Sequence, residues 1–209
     1  MSATTHLLYL HGFRSSPQST KVQHLRRNKD DLRMVLSNMA PQLPPSPKDA
    51  AALMLDVTSA WAGVPPDHIA VIGSSLGGFY ATWLAQQLRC KSVLLNPATQ
   101  PWVSLQRHLG QLSQWDKPEE TFDFRPEHLD ELKALDVAHL PPAAPQLLIA
   151  AKGDEVLDWR DMVARYPQAT LRLQEGGDHG LTNFANYLPE IDSFLHWSPR
   201  PLDRRTPAP

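Results

Sequence analysis

The chain has 209 residues, 42% hydrophobic and 20% charged, which suits one globular domain that can bury roughly 70% of its unfolded surface without a disulfide or metal. Its 20 Lys and Arg against 22 Asp and Glu leave a net charge of −2, which lacks the basic field of a dedicated nucleic-acid binder. A single cysteine, Cys90, excludes an internal disulfide and a thiolate zinc cluster; no apolar run approaches the ~18 residues of a membrane span, and Met1–Thr5 lack the parts of a signal peptide, so a cytoplasmic protein is expected.

In chain order, His6–His11 is a short apolar run stopped by Gly12, as expected of a strand buried on both faces. Residues 18–29 are polar and basic and read as an exposed helix, with Lys21, His24, Arg26, Arg27 and Lys29 on a solvated face; Leu32–Leu36 is a second strand. Ser46-Pro47-Lys48-Asp49 carries the signals of a helix start: an N-cap serine, proline in the first turn and an acid at the third position. Ile69–Gly73 is another strand and runs without a spacer into a helix over Ser74–Leu88. Val93–Leu95 and Gln146–Ala151 are strands, and Thr170–Gln174 alternates as a half-exposed edge strand would. Residues 183–196 close the fold as a helix, and 199–209 read as a disordered tail. The alternation predicts an α/β fold, about six mostly parallel strands with helices on both faces, in one domain over 1–198. Residues 102–140 interrupt the alternation and read as a helical, cap-like insert.

In such sheets the chemistry sits in loops at the carboxyl ends of the strands. Gly73-Ser74-Ser75-Leu76-Gly77 is the G-x-S-x-G nucleophile elbow, placed between a buried strand and a helix, where that turn must lie. The sharp turn lifts the Ser75 hydroxyl to a helix N-terminus, where free N–H groups and the dipole favour negative charge. Ser74 cannot play this part, because Ile72 stands where its glycine should be, and Phe79 stands where a phosphate-binding loop needs lysine. A serine needs a base. His179, flanked by glycines in Gly176-Gly177-Asp178-His179-Gly180, follows the edge strand. The acid belongs in the loop after the preceding strand: Asp154 is nearest the strand end, with Glu155 and Asp158 as alternatives. The oxyanion hole needs two backbone donors, the N–H of Leu76 and that of Phe13 in His11-Gly12-Phe13; His11 braces that loop rather than moving protons. Arg14 reads as a solvated loop residue or a contact for an anionic leaving group. Trp102, Leu105, Leu109 and Leu112 fall on one helical face of the insert. That face either packs on the core or forms a cap whose underside receives an acyl chain, with Trp102, Leu109 and Leu112 touching substrate. No H-E-x-x-H, C-x-x-C, G-x-G-x-x-G or Walker pattern occurs, so neither metal nor nucleotide cofactor is expected.

Several strings occur together and in order: Leu8-Tyr9-Leu10-His11-Gly12-Phe13, Ser15-Ser16-Pro17, Pro41-Gln42-Leu43-Pro44, Gly73–Gly78, Asn96-Pro97-Ala98, Gly153–Asp158 and Glu175-Gly176-Gly177. The set resembles the YqiA-type family of small bacterial α/β-hydrolase esterases over residues 6–196. The resemblance implies a compact hydrolase acting on carboxylic esters or acyl thioesters, with Ser75, Asp154 and His179 as triad and Phe13 and Leu76 as oxyanion donors. The expected partner is a small acyl substrate. The other readings are a catalytically silent hydrolase fold used for binding, and a cofactor-free perhydrolase, which shares the triad.

Overall fold

The computed structural model describes residues 3–27 and 40–196. In chain order it runs β1 (His6–Leu10), α1 (Thr20–Arg27), α2 (Pro47–Ser59), β2 (Ile69–Ser74), α3 (Leu76–Leu88), β3 (Lys91–Leu95), α4 (Pro101–Ser104), β4 (Gly110–Ser113), β5 (Thr121–Phe124), α5 (Pro126–Ala134), β6 (Gln146–Ala151), α6 (Trp159–Arg165), β7 (Thr170–Gln174) and α7 (Leu188–Leu195). Strands β1, β2, β3, β6 and β7 form one parallel sheet in that order. The strand expected at 32–36 and the tail at 199–209 lie outside the described residues.

The sheet is buried on both faces because its strands are apolar at odd and even positions alike. Leu8, Leu10, Val71, Leu94 and Leu148 pack with Met54 of α2, Phe79, Tyr80 and Leu84 of α3 and Met162 of α6. On the other face Leu7, Tyr9, Ile72, Val93 and Ile149 meet Val22 and Leu25 of α1 and Ile191 and Leu195 of α7. Helix α1 is therefore amphipathic, with Val22 and Leu25 fully buried, rather than a purely solvated element. Strand β7 lies at one edge, with Leu171 and Arg172 exposed. The Ser46 hydroxyl accepts the Asp49 N–H at 3.1 Å and caps α2, a contact worth about 1 kcal/mol.

The insert departs from expectation. No single helix carries Trp102, Leu105, Leu109 and Leu112. Helix α4 stops at Ser104, a 3₁₀ turn covers Gln106–His108, Leu109 is extended, and Gly110 has φ +116°. The chain then forms an antiparallel hairpin, β4 with β5, in which Leu112 pairs with Phe122 and Gly110 with Phe124. The helical path has ended by Leu109, and the positive φ at Gly110, open to glycine, starts the hairpin. Cross-strand packing of Leu112 and Phe122 against the core replaces the expected helical face.

Candidate active site

Ser75 lies between β2 and α3 with φ 56° and ψ −121°, a region that costs of order 1–3 kcal/mol for a residue with a side chain. Its peptide is held on both sides. The Ser75 N–H donates to Leu95 O at 3.0 Å, and its carbonyl accepts the N–H groups of Gly78 at 2.9 Å and Ala98 at 3.0 Å. The glycines are steric necessities. A Cβ on Gly73 would sit 2.0 Å from Gly77 O, one on Gly77 2.0 Å from Leu10 O, and one on Gly78 2.6 Å from the Pro97 Cβ. The first turn of α3 is thus pressed onto the ends of β1 and β3.

The loops after β6 and β7 bring Asp154 and His179 to this turn. His179 Nε2 lies 3.0 Å from Ser75 Oγ, and Nδ1 lies 2.8 Å from Asp154 Oδ2. Asp154 has no exposed side-chain surface, and its Oδ1 accepts the N–H groups of Val156 and Leu157, both at 2.8 Å. With Nδ1–H donating to the carboxylate, the Nε2 lone pair faces the serine hydroxyl. The alternative acids are otherwise occupied: Glu155 Oε2 accepts the His179 backbone N–H at 3.0 Å, and Asp158 caps α6 by accepting the Arg160 N–H at 2.8 Å. The backbone around His179 is gripped further. Asn96 Nδ2 donates to the carbonyls of Asp178 and His179 at 3.0 and 3.1 Å, and Lys21 Nζ donates to that of Gly180. Lys21 is therefore half-buried and tied to the His179 loop rather than freely solvated, and burial lowers its pKa to about 8. Sequence reasoning missed both residues in these roles.

Leu76 opens α3, so its N–H is one of the four that no helical carbonyl can accept. Gly12 lies alongside the nucleophile: a Cβ there would be 3.3 Å from Ser75 Cβ and 3.8 Å from Oγ. His11 braces this loop, as expected. Its Nδ1 donates to Gly12 O and its Nε2 accepts the Leu43 N–H, both at 3.0 Å, and its burial disfavours the charged ring. The Phe13 ring meets Phe124 edge-on at 5.0 Å and Phe122 at 6.2 Å. Arg14 is half-buried and engaged by the insert: it donates to Ser113 O at 2.6 Å and stacks on Trp115. A cavity of about 40 Å³ opens between Gly12, Phe13, Leu43, Leu76, Tyr80 and Phe122.

Trp102, Leu109 and Leu112 do not line that cavity. Trp102 stands edge-on to Phe79 at 6.1 Å and lines a separate groove of about 470 Å³ with Gln100, Asp136 and Arg165. Leu109 is 39% exposed, and Leu112 packs on the core. The insert residues at the cavity are Gln114 and Phe122; the period-2 placement of Phe122 in β5 gave no helical signal. Among the described residues no group of three or more His, Cys, Asp and Glu could hold a metal ion, and no helix is long and apolar enough to cross a membrane.

Residues 6–196 match the Uncharacterised protein family UPF0227. The chain belongs to this family. That match agrees with the resemblance to the YqiA type. The UPF0227 protein Shewmr4_1727 of Shewanella sp. strain MR-4 is 26% identical over 192 residues, spanning 90% of this chain and 98% of its own. The UPF0227 protein of Serratia proteamaculans strain 568 is 24% identical over 194 residues, spanning 90% and 97%. Among solved structures, Est1E from Butyrivibrio proteoclasticus superposes with TM-score 0.70 at 15% identity, covering 94% of this chain and 88% of that one. Mouse alpha/beta hydrolase domain-containing protein 10 gives 0.65 at 16%, covering 94% and 92%. This UPF0227 chain therefore has the α/β-hydrolase fold.

Proposed function

We propose that this UPF0227 protein is a serine hydrolase that cleaves carboxylic esters or acyl thioesters through an acyl-enzyme on Ser75. The observation that carries the reading is the 3.0 Å approach of His179 Nε2 to the Ser75 hydroxyl, with Nδ1 held by a buried carboxylate. Ser75 Oγ attacks the acyl carbonyl as His179 takes its proton; Asp154 fixes the ring and stabilises the imidazolium without taking a proton itself. The N–H groups of Leu76 and Phe13 receive the developing oxyanion. His179 then protonates the departing alkoxide or thiolate, and water, activated by the same imidazole, releases the acid. None of these steps calls for a metal or an organic cofactor. Support also comes from the fold shared with Est1E, a protein solved with ferulic acid bound.

The test is covalent labelling with a fluorophosphonate, which reports an activated serine, followed by turnover of p-nitrophenyl and acyl-thioester substrates. Labelling of the wild type at Ser75 and its loss in Ser75→Ala are expected. A folded wild-type chain that neither labels nor turns over any acyl substrate would make it a hydrolase fold used for binding.

A further inference from the structure

The proposed nucleophile and base stand on two separate loops that must be held in register. Ser75 stands on a buried strand-to-helix turn. His179 stands in a loop whose preceding residues, Gly176 and Gly177, have φ +67° and +82°, and whose Leu181 has φ +45°. A backbone so rich in left-handed positions has no strong local preference of its own, so the imidazole must be aligned by contacts made from elsewhere.

Those contacts converge on the end of β3. The Leu95 carbonyl accepts the Ser75 N–H, and the Ala98 N–H donates to the Ser75 carbonyl, each at 3.0 Å. Between these two anchors lies Asn96, whose amide donates to the Asp178 and His179 carbonyls at 3.0 and 3.1 Å. Its Oδ1 accepts the Ala151 N–H at 2.9 Å, at the end of the strand that leads to Asp154. Asn96 is fully buried and has φ +41°, a conformation that asparagine tolerates better than most side chains. One four-residue segment, Leu95–Ala98, thereby bonds to the nucleophile's peptide, the base's peptide and the strand before the acid.

We propose that Asn96 is a positioning residue that sets His179 against Ser75, with the end of β3 as their common reference. This rests on the reading of Ser75 and His179 as nucleophile and base. Donation to two successive carbonyls fixes both the position and the tilt of the His179 peptide, which a single bond would leave free to rotate. Glu155 on the His179 N–H and Lys21 on the Gly180 carbonyl complete the grip from the solvent side. Small misplacements of a reacting group cost rate far more than they cost binding, so the loss should appear in kcat.

Two variants test this. Asn96→Gly accepts the positive φ and removes the whole amide; Asn96→Asp keeps the acceptor for Ala151 and removes the donors. In whichever variant retains a cooperative melt, measured well below its midpoint, kcat and the fluorophosphonate labelling rate should fall on the order of 10- to 100-fold with KM little changed. The downfield proton resonance of the Asp154-bonded His179 Nδ1–H should broaden or vanish, a change that a merely stabilising role would not produce. Unchanged labelling and an unchanged proton resonance in a folded variant would overturn the alignment role. If the wild type itself does not label, the hydrolase reading falls and the resonance alone decides: loss in the variant supports the role of Asn96, and persistence overturns it.

Discussion

The Arg14 guanidinium lies 3.9 Å from the ring centre of Trp115, and the Arg14 carbonyl accepts the Trp115 N–H at 2.9 Å. One residue of the loop after β1 is thus clasped, side chain and backbone, by the strand end of the inserted hairpin. Ser16 donates to Asp116 and Arg14 to Ser113 across the same boundary. The hairpin therefore acts on the loop that carries Phe13 and is not a detached cover above the sheet. Guanidinium stacking on an indole contributes about 0.5–1 kcal/mol at an exposed site, and the hydrogen bonds give it direction.

Under the proposed acyl-enzyme reading, the small cavity beside Gly12 and Leu76 is the expected seat of the acyl group. Its volume is only about 40 Å³, which favours short acyl groups. Acetyl and propionyl p-nitrophenyl esters should be turned over faster than octanoyl or decanoyl esters. Phe122→Ala should shift the optimum to longer chains, whereas Leu109→Asp should leave it in place. A wild-type optimum at ten carbons would show that acyl groups bind elsewhere.

Ser75→Ala should abolish labelling and turnover and leave the melt intact, because the elbow's backbone bonds do not use the hydroxyl. Ser74→Ala should retain most activity. Mass spectrometry of labelled peptides separates the two, and a tag on Ser74 would overturn the assignment.

The three acids after β6 should differ sharply. Asp154→Asn should lower kcat by roughly 10⁴-fold, as loss of the equivalent carboxylate does in the serine-protease triad used as a reference. Asp158→Asn keeps a capping oxygen for α6 and should be near neutral. Glu155→Gln keeps an oxygen for the His179 N–H and should cost less than 10-fold by the same logic as neutral hydrogen bonds, about 1 kcal/mol each. Steady-state kinetics on the three variants give the ranking.

Two glycines should respond to alanine with losses of different size and cause. Gly77→Ala drives a Cβ to 2.0 Å from a backbone oxygen and should destabilise by about 3 kcal/mol or more, beyond ordinary overpacking. Gly176→Ala meets no atom within 4 Å but sits at φ +67°, so only the left-handed penalty of about 1–2 kcal/mol applies. Urea melts measure both.

Stability should fall at alkaline pH, with identifiable contributors. Burial raises the Cys90 thiol from 9.0 to about 12, and Tyr9, Tyr80 and Tyr166 are also raised above 10.0. The folded chain then keeps protons that the unfolded chain releases, so this stabilisation is present below pH 9 and lost above it. Lys21 has the opposite sign: lowered from 10.5 to about 8, it favours the folded state increasingly as pH rises between those values. The urea midpoint should change little from pH 8 to 9.5 and drop by pH 11. Cys90→Ala should make that drop shallower, and Lys21→Met should bring it to lower pH.

The elbow was legible because its sequence signature is local: two glycines flank Ser75 within five residues, Gly73 pressed on Gly77 and Gly77 on the end of β1, and a buried strand precedes it. Asp154 and His179 were legible from chain order, since loops at the carboxyl ends of parallel strands must converge. The hairpin was not, because β4 and β5 have four residues each and carry Gln111, Ser113, Thr121 and Asp123 among their apolar ones, while the spacing from Trp102 to Leu112 also fits a helix. Asn96 was not, because its three bonds reach backbone atoms 55 to 83 residues away, and no local pattern encodes such distances.

Thr4 donates from both its N–H and its hydroxyl to the carbonyl of Leu195, at 3.3 and 2.7 Å. The approach to the first strand and the end of α7 are thus stitched together at the amino edge of the sheet, across the molecule from Ser75. A short linker joining these two points would close the chain into a ring without crossing the hydrolytic face, and new ends could be opened in a surface turn such as Pro65–Asp67. Likewise, a protein tethered to a support near Thr4 or Leu195 would present Ser75 and its cavity outward to solution.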